Sequence, residues 1–504
     1  MEERKPNNND AIVKACIVII SAVSYIFANG QRSVPVLAWL YPALFLCLIA
    51  IKKSVKPLLI IYAIYSISFV IQWANVLGTG LGLCILLSIG FSCIKILPYI
   101  AYSRLSRSSD RFATTILFPS AMVLGEYIIY LINPILAGLS DVYTQYQNLP
   151  LMNLSSLFGV YGIIFIMYWT AAVAVWLVNR RKTVAVAAKQ GIIVYSAVMA
   201  AVFLYGTAML NLPLSDGSTV RIASITVPVK ELLENDDDVS AVFYGDSFTD
   251  ENMAAAREKL SSVHDELFRK TVEEAGASAK IIFWSELNGA VMRDDETQLI
   301  ARATEAAKEY NIYLVISLLT KTPYEKYKDN KAIMLSPEGK AVTEFVKTIR
   351  SPGELCIEGT GKMDSFASEY GRLTSFICSD MASSAMISQA GRDNVDIIIV
   401  PASDWREMSP IAIKTAIVRG IENGCSVVRQ TNMGISVAAD YRGKILAETN
   451  YYTSERKSMV SEVPTRGRFT LYPHIGDVLP WCCAAYLVLF LIFLICKYRK
   501  SKHN

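Results

Sequence analysis

What most limits the folding of this chain is a series of apolar runs, each about the length of a bilayer-spanning helix. They lie at roughly 11–28, 34–51, 57–74, 81–101, 112–131, 154–178, 190–210 and 478–496. A span of hydrocarbon takes about 20 apolar residues, and inside lipid an unclosed chain satisfies its backbone polar groups only as helix. Of the 504 residues, 53% are hydrophobic and 19% charged, which is too apolar for an ordinary soluble protein. The apolar excess is confined to residues 11 to about 210 and to 478–496, while about 218–468 has a soluble composition.

The net charge of +4 is small, and its basic residues sit in short clusters between the runs. These are Arg4/Lys5, Lys52/Lys53/Lys56, Arg104/Arg107/Arg111, Arg180/Arg181/Lys182/Lys189 and Lys497/Arg499/Lys500/Lys502. They fall at the N-terminus, at every second loop and at the C-terminus, the pattern of loops retained in the cytoplasm. About eight spans follow, with both termini inside and residues 218–468 outside the plasma membrane. The first run reads as an uncleaved anchor, since no small-residue cleavage site follows it. Such charge reports topology and gives no reason to expect nucleic acid as a partner. Within the spans, Glu126 is an intramembrane acid, either functional or facing a neighbouring helix. The aromatic loop at about 133–153 either contacts a lipid headgroup or simply connects two spans.

The region 218–468 alternates strand and helix patterns. Strands are predicted at 220–227, 280–284, 312–318, 331–335, 341–349, 395–400 and 426–430, and helices at 250–275, 296–310 and 409–423. Ser336-Pro-Glu-Gly339 and Arg442-Gly443 mark hairpin turns. The expected fold class is an α/β sandwich with layered sheets, inserted after a helical transmembrane bundle and closed by a C-terminal transmembrane helix. The expected boundaries are 1–213, 218–468 and 476–504.

Of ten cysteines, only Cys356, Cys378 and Cys425 belong to this region, an odd number that leaves at least one thiol free. No C-x-x-C pair or histidine cluster suggests a metal site, and no glycine-rich phosphate loop a nucleotide, so no cofactor is expected. The three histidines lie far in sequence from Cys378, which argues against a Cys-His pair.

The stretch Arg372-Leu-Thr-Ser-Phe-Ile-Cys-Ser-Asp380 drives an apolar run into Cys378 and then at once into small polar residues. That reads as a strand, a sharp turn and a helix start, whose amides favour a thiolate. Glu286 follows the strand Lys280–Trp284, and Lys347 ends the run 341–347. Side chains at the carboxyl ends of strands converge on one crevice. A carboxylate, an ammonium and a thiol meeting there form a coherent catalytic set of general base, oxyanion stabiliser and nucleophile.

The order and surroundings of these residues resemble the nitrilase, or carbon–nitrogen hydrolase, superfamily, and the membrane architecture resembles its apolipoprotein N-acyltransferase family. Ile282-Phe-Trp-Ser-Glu286 is similar to the family's W-P-E, with Ser285 in place of proline. Phe345-Val-Lys347 and Ser351-Pro-Gly-Glu354 are similar to Y-x-K and P-F-G-E. Ile377-Cys378-Ser379-Asp380 resembles C-Y-E, with Ser379 in place of the aromatic and Asp380 one methylene shorter than the family's usual glutamate. Further likenesses are Pro401-Ala-Ser-Asp404-Trp405, Val418-Arg419-Gly-Ile-Glu422-Asn423 and Arg429-Gln-Thr-Asn432-Met-Gly434-Ile-Ser436. The segments at Tyr143–Tyr146 and Leu157–Gly162 extend the resemblance into the membrane part, although the loop lacks a G-F-P-W-like segment where Gly138-Leu-Ser-Asp141 stands.

The resemblance implies an αββα sandwich carrying a Glu286–Lys347–Cys378 triad, with Glu354, Ser379, Asp380 and Trp405 supporting it or positioning substrate. It further implies transfer of a fatty acyl chain from a membrane phospholipid, through a thioester, to the α-amino group of a lipoprotein's diacylglyceryl-cysteine. The chain is expected to act as a monomer at the bacterial plasma membrane. Two other readings remain: a membrane-anchored amidase hydrolysing a small amide, and a non-catalytic scaffold.

Overall fold

The computed structural model describes residues 8–51, 54–106, 111–179, 185–212, 217–245 and 247–503. The chain divides into a helical unit, Met1–Leu210 with Ile475–Asn504, and an α/β unit, Asn211–His474.

In the helical unit, helices occupy all eight predicted apolar runs. Among the described residues, six are long and apolar enough to cross a membrane: Lys56–Trp73, Leu81–Leu105, Phe112–Ile132, Ser155–Val178, Lys189–Asn211 and Val478–Arg499. The first two runs form the helices Asn8–Ile26 and Leu37–Ile51. Residues 27–36 between them form turns around Gly30 and Pro35, and the second helix starts at Leu37 instead of 34. Arg4, Lys5, Lys52, Lys53, Arg107, Arg180, Arg181 and Lys182, which carried much of the topology reading, lie outside the described residues.

Glu126 is buried and ion-paired with Lys95 of the helix Leu81–Leu105, so it faces a neighbouring helix. The loop at 133–153 is neither a bare connector nor an exposed arm. It folds into short helical turns, and Asp141–Gln145 is buried within the helical unit. Asp141 accepts hydrogen bonds from the Tyr41 hydroxyl at 2.6 Å and the Tyr168 hydroxyl at 3.0 Å. Lys95 Nζ stands 3.7 Å from Asp141 Oδ1. The helix Ser155–Asn179 contains one non-helical residue, Gly159, at φ 61° and ψ −168°, a backbone state that only glycine adopts without strain.

The α/β unit is built on two sheets. The first contains β1 (Thr219–Ile225), β2 (Ile281–Trp284), β3 (Gly289–Met292), β4 (Tyr313–Lys321), β5 (Asp329–Leu335) and β6 (Ala341–Val346). The second contains β7 (Ser365–Ser368), β8 (Gly371–Ser375), β9 (Ile397–Ser403), β10 (Ser426–Asn432), β11 (Ile435–Ala439) and β12 (Ile445–Asn450). β13 (Met459–Pro464) returns to the first sheet. The strand orders are β13-β1-β2-β4-β5-β6, with β3 on β4, and β12-β11-β10-β9-β8-β7. The centre of each sheet is parallel (β1-β2-β4 and β8-β9-β10) and the margins are antiparallel hairpins.

Side-chain alternation along the strands makes the layers. Ile222, Ile281, Phe283 and Val315 point into a core shared with Leu373, Ile397, Ile399 and Val427 of the second sheet. Ala223, Ile282, Trp284 and Leu314 point the other way, against Leu260, Leu267, Leu299 and Ala303 of the helices Asp250–Gly276 and Arg293–Glu309. The helices Ser384–Arg392 and Ser409–Asn423 contribute Ile387, Ala390 and Ala416 to the core cluster of the second sheet. The architecture is the expected αββα sandwich. Gly424, at φ 68°, closes the helix Ser409–Asn423; a Cβ there would lie 1.7 Å from the Arg468 carbonyl oxygen.

Candidate active site

Lys347 immediately follows β6, and Glu286 stands two residues beyond the end of β2, with Ser285 between, both in the turns after their strands as the strand patterns predict. Cys378 does not end a strand. β8 stops at Ser375, and Cys378 opens a short 3₁₀ turn, Cys378–Ala382, before the helix begins at Ser384. Its φ of 48° is left-handed, a strained state for a residue with a Cβ. Leu287, next to Glu286, and Met433, next to Asn432, share that conformation at 69° and 53°. Turns beside the site thus hold non-glycine residues with positive φ, the strain expected where a surrounding scaffold fixes functional side chains.

Lys347 is buried between two carboxylates. Its Nζ donates to Glu286 Oε1 at 2.8 Å and to Glu354 Oε1 and Oε2 at 2.9 and 2.7 Å. Burial works against the charge, but Glu286, Cys378 and Glu354 outweigh it and hold the ammonium well above lysine's ordinary range. Asn330 Nδ2 bridges the same two carboxylates, at 2.8 Å from Glu286 Oε1 and 3.1 Å from Glu354 Oε1. Burial raises Glu354, but its bonds to Lys347, Ser351 N–H and Asn330 prevail and keep it below the usual carboxylate range. Behind the acid, Asn432 Nδ2 donates to the Glu286 carbonyl at 2.5 Å. Glu286 Oε2, although buried, has no hydrogen-bond partner.

Asp380 stitches the Lys347 and Cys378 turns together. Its Oδ1 accepts from Thr348 N–H at 3.1 Å and Ile349 N–H at 2.7 Å, and its Oδ2 from Ile377 N–H at 3.3 Å. The Ser379 hydroxyl bonds the Ile349 carbonyl, adding a second tie between the same segments. Burial pushes the Asp380 carboxyl up to about 7, with those backbone donors and Lys347 pulling the other way. Both replacements read from sequence therefore serve the scaffold of the elbow.

The Cys378 sulfur lies 3.9 Å from the Ser403 carbonyl and 3.9 Å from Arg429 Nη2. Arg429 is fully buried and paired with Asp404 through two bonds of 2.7 and 2.8 Å. The expectation that turn amides favour the thiolate is not met. Burial, then the Glu286 charge, push the thiol well above its ordinary range, against the smaller pull of Lys347 and Arg429. Burial thus favours the neutral form of the Cys378 thiol.

Glu286, Lys347, Glu354, Ser403 and Trp405 line one cavity of about 840 Å³. Asn330 and the Asp404–Arg429 pair were not assigned roles from sequence. Arg429 carried a signal, as the first residue of the R-x-T-N-like segment, whereas Asn330 carried none. Cys356 and Cys425 are both buried free thiols and form no disulfide with one another.

Two family models match this chain. A carbon–nitrogen hydrolase model covers residues 252–461, and a model of the apolipoprotein N-acyltransferase N-terminal domain covers residues 21–173. The chain belongs to the apolipoprotein N-acyltransferase family of the carbon–nitrogen hydrolase superfamily. A protein of Geobacter metallireducens named apolipoprotein N-acyltransferase is 22% identical, over 93% of this chain and 93% of its own. A Treponema denticola protein named apolipoprotein N-acyltransferase 2 is 26% identical over 45% of this chain and 49% of its own. Among solved structures, an amidase from Nesterenkonia sp. is 15% identical and covers 50% of this chain and 92% of its own, with a TM-score of 0.38. With its apolar helices, this family member is a multi-pass membrane protein and an enzyme of the superfamily.

Proposed function

We propose that this chain moves a fatty acyl group from a membrane phospholipid to the α-amino group of a lipoprotein's N-terminal diacylglyceryl-cysteine, with Glu286, Lys347 and Cys378 carrying the chemistry. The observation that carries the reading is the unpartnered, buried Glu286 Oε2 beside an ammonium and a thiol. A buried carboxylate oxygen left without a donor is costly unless a proton is delivered to it during the reaction.

In the first half-reaction Glu286 takes the Cys378 S–H proton as the sulfur bonds the ester carbonyl carbon. Lys347 Nζ stabilises the oxyanion that forms. Collapse expels the glycerol oxygen of the lysophospholipid, which leaves with the proton from Glu286, and the acyl group remains as a thioester. In the second, the neutral α-amine attacks that thioester and gives its extra proton to Glu286. The Cys378 sulfur departs and recovers the proton, and an amide is released.

Glu354 and Asn330 hold Lys347 and Glu286 in place, Asp380 and Ser379 hold the elbow, and Trp405 walls the cavity. The basic loops favour an α/β unit on the extracytoplasmic face and both termini in the cytoplasm, and the proposed working unit is a single chain. The match to the N-terminal domain model favours this reading over hydrolysis of a small amide.

The test is intact-mass analysis of the purified protein after incubation with phospholipid, beside a Cys378→Ala control. A hydroxylamine-labile fatty-acyl adduct on the native protein alone is the expected result. Absence of any adduct, with or without a diacylated lipopeptide, overturns the proposal.

A further inference from the structure

The 3₁₀ turn Cys378–Ala382 is held at both of its ends. Asp380 and Ser379 tie its first half to Thr348 and Ile349. Its second half is held by Arg419, a buried residue of the helix Ser409–Asn423. Arg419 Nε donates to the Met381 carbonyl at 3.2 Å, and Nη2 donates, more weakly, to the Ala382 carbonyl at 3.4 Å. Nη1 donates to the carboxylate of Glu422, one turn further along the same helix, and both members of this ion pair are buried. The end of that helix is fixed in turn. Asn423 Nδ2 donates to the Arg419 carbonyl at 2.9 Å, and the Thr470 hydroxyl donates to the Glu422 carbonyl at 2.7 Å.

Stability alone does not account for this pair. A buried ion pair repays its desolvation only where the geometry is good, and well-packed apolar residues in its place are often neutral or stabilising. What an arginine supplies, and a lysine or an apolar side chain does not, is a rigid fork of donors. Here the fork meets the carbonyls of two consecutive residues that close the turn opened by Cys378. The φ of 48° at Cys378 is a strained state that persists only where the surroundings over-determine it. Neither Arg419 nor Glu422 is among the described residues that line the cavity.

We propose that Arg419, oriented by Glu422, is a positioning residue for the nucleophile: it braces the back of the turn and so aims the Cys378 sulfur at the acyl carbon. This rests on the acyl-transfer reading, in which that sulfur attacks the ester. Arg419 stands behind the turn and not in the cavity, so its loss acts on the attack and not on binding of the donor. A misplacement of about 1 Å caused far from the chemistry is enough to cost ~100-fold in rate.

The experiment follows loading of Cys378 from dioctanoylphosphatidylglycerol in detergent micelles by intact mass, at a series of lipid mole fractions. One variant, Arg419→Met/Glu422→Met, removes the pair without leaving a lone buried charge; the other, Arg419→Lys, keeps the charge and loses the fork. In both, the maximal loading rate is expected to fall about 10- to 100-fold, with the half-saturating lipid fraction within about 2-fold of native. Alkylation of Cys378 by iodoacetamide needs no alignment with an ester and is expected to stay within about 3-fold of native. Thermal melting checks that each variant is folded. A folded variant that loads at the native rate overturns the proposal. So does a loss that lies wholly in the half-saturating fraction, or alkylation that falls as far as loading.

Hydrogen exchange separates failure of this inference from failure of the acyl-transfer reading. If the native protein does not load at all, that reading falls, and the brace is read from the amides of Asp380 and Ser383, which bond the Ile377 and Asp380 carbonyls across the turn. Peptides covering 376–384 are expected to exchange about 10-fold faster in the double variant, with those of β9 and β10 unchanged. Unchanged exchange at 376–384 removes the brace whether or not Cys378 is acylated. If the double variant does not fold, Arg419→Lys carries both comparisons. A general rise in exchange across the second sheet, or failure of both variants to fold, assigns the pair to stability and overturns the proposal.

Discussion

The Asp404–Arg429 pair offers two substitutions with effects of opposite sign on one sulfur atom. Arg429 Nη2 lies 3.9 Å from Cys378 Sγ, and Asp404 is bound to the same guanidinium. At that distance a unit charge interacts with a thiolate by about 4 kcal/mol at an effective dielectric of ~20. With the guanidinium charge spread over three nitrogens, of which one faces the sulfur, the effective figure is about 2 kcal/mol, or ~1.5 pH units in the thiol's ionisation. Thiolate population then changes ~30-fold, and because nucleophilicity falls as acidity rises, the alkylation rate changes about 6-fold. Arg429→Met is therefore expected to slow iodoacetamide alkylation of Cys378 at pH 8 by about 6-fold, and Asp404→Asn to accelerate it by about as much. Site-resolved mass spectrometry over a time course reads both rates, with the melting temperature followed in parallel. Each variant also strips a buried charge of its partner and should destabilise the unit by roughly 3–5 kcal/mol. Loss of packing alone would move both rates the same way, so changes of the same sign, or no change in Asp404→Asn, would refute the electrostatic argument.

Three other perturbations follow from the same geometry. Asp380 has its carboxyl raised to about 7 in the fold, against about 4 in an unfolded chain, so its contribution to stability is full below pH ~4 and is lost as pH rises through 7. The melting temperature should fall from pH 5 to pH 8, with this group supplying a slope of up to about 1.4 kcal/mol per pH unit, and Asp380→Asn should flatten that slope. Glu354→Gln removes one of two carboxylates on Lys347 while keeping an amide oxygen; loading from phospholipid should slow about 10- to 100-fold, and unchanged loading would leave Glu354 a purely structural part. In the helical unit, Lys95→Met leaves Glu126 and Asp141 buried without their cation and should cost roughly 3–5 kcal/mol in a detergent melt, with Lys95→Met/Glu126→Met recovering much of it.

The apolar runs made the eight helices legible because length and polarity alone decide whether a segment suits lipid. The first two helices, Asn8–Ile26 and Leu37–Ile51, match their runs to within three residues, the second starting late because the turns around Gly30 and Pro35 precede it. Strand-to-helix alternation gave the sandwich, and most element centres fall where the periodicity puts them. β3, β7 and β13 escaped it: the first two are four residues each, too short for a period to register, and β13 pairs with β1 across the whole unit. Glu286 and Lys347 were legible because each lies within two residues of a strand's carboxyl end. The elbow at Cys378 was only partly so, because its left-handed φ is imposed by tertiary bonds from Asp380 and not by glycine. Asn330 was invisible, since an asparagine at the second position of a strand has no local pattern that announces two buried carboxylates. Lys95 was overlooked inside an apolar run, although a lone intramembrane acid such as Glu126 calls for a buried cation opposite it.

A thiol whose neutral form is favoured by burial is the feature that joins these parts into one mechanism. A site tuned for a standing thiolate would carry excess positive charge at the sulfur and would react with any passing electrophile. Here the cations nearest the sulfur are already committed, Lys347 to Glu286 and Glu354, and Arg429 to Asp404. Their residual pull does not overcome burial. In the acyl-transfer reading proposed above, ionisation would accompany attack, with Glu286 Oε2, which has no hydrogen-bond partner among the described residues, receiving the proton as the sulfur bonds carbon. The same commitment explains why Lys347 is so firmly charged: an ammonium balanced by two acids stays protonated while negative charge develops on the substrate oxygen, so it stabilises that oxygen without surrendering its own proton. In that reading the reacting ester itself would switch on the nucleophile, limiting thioester formation to acyl groups that seat fully against the elbow.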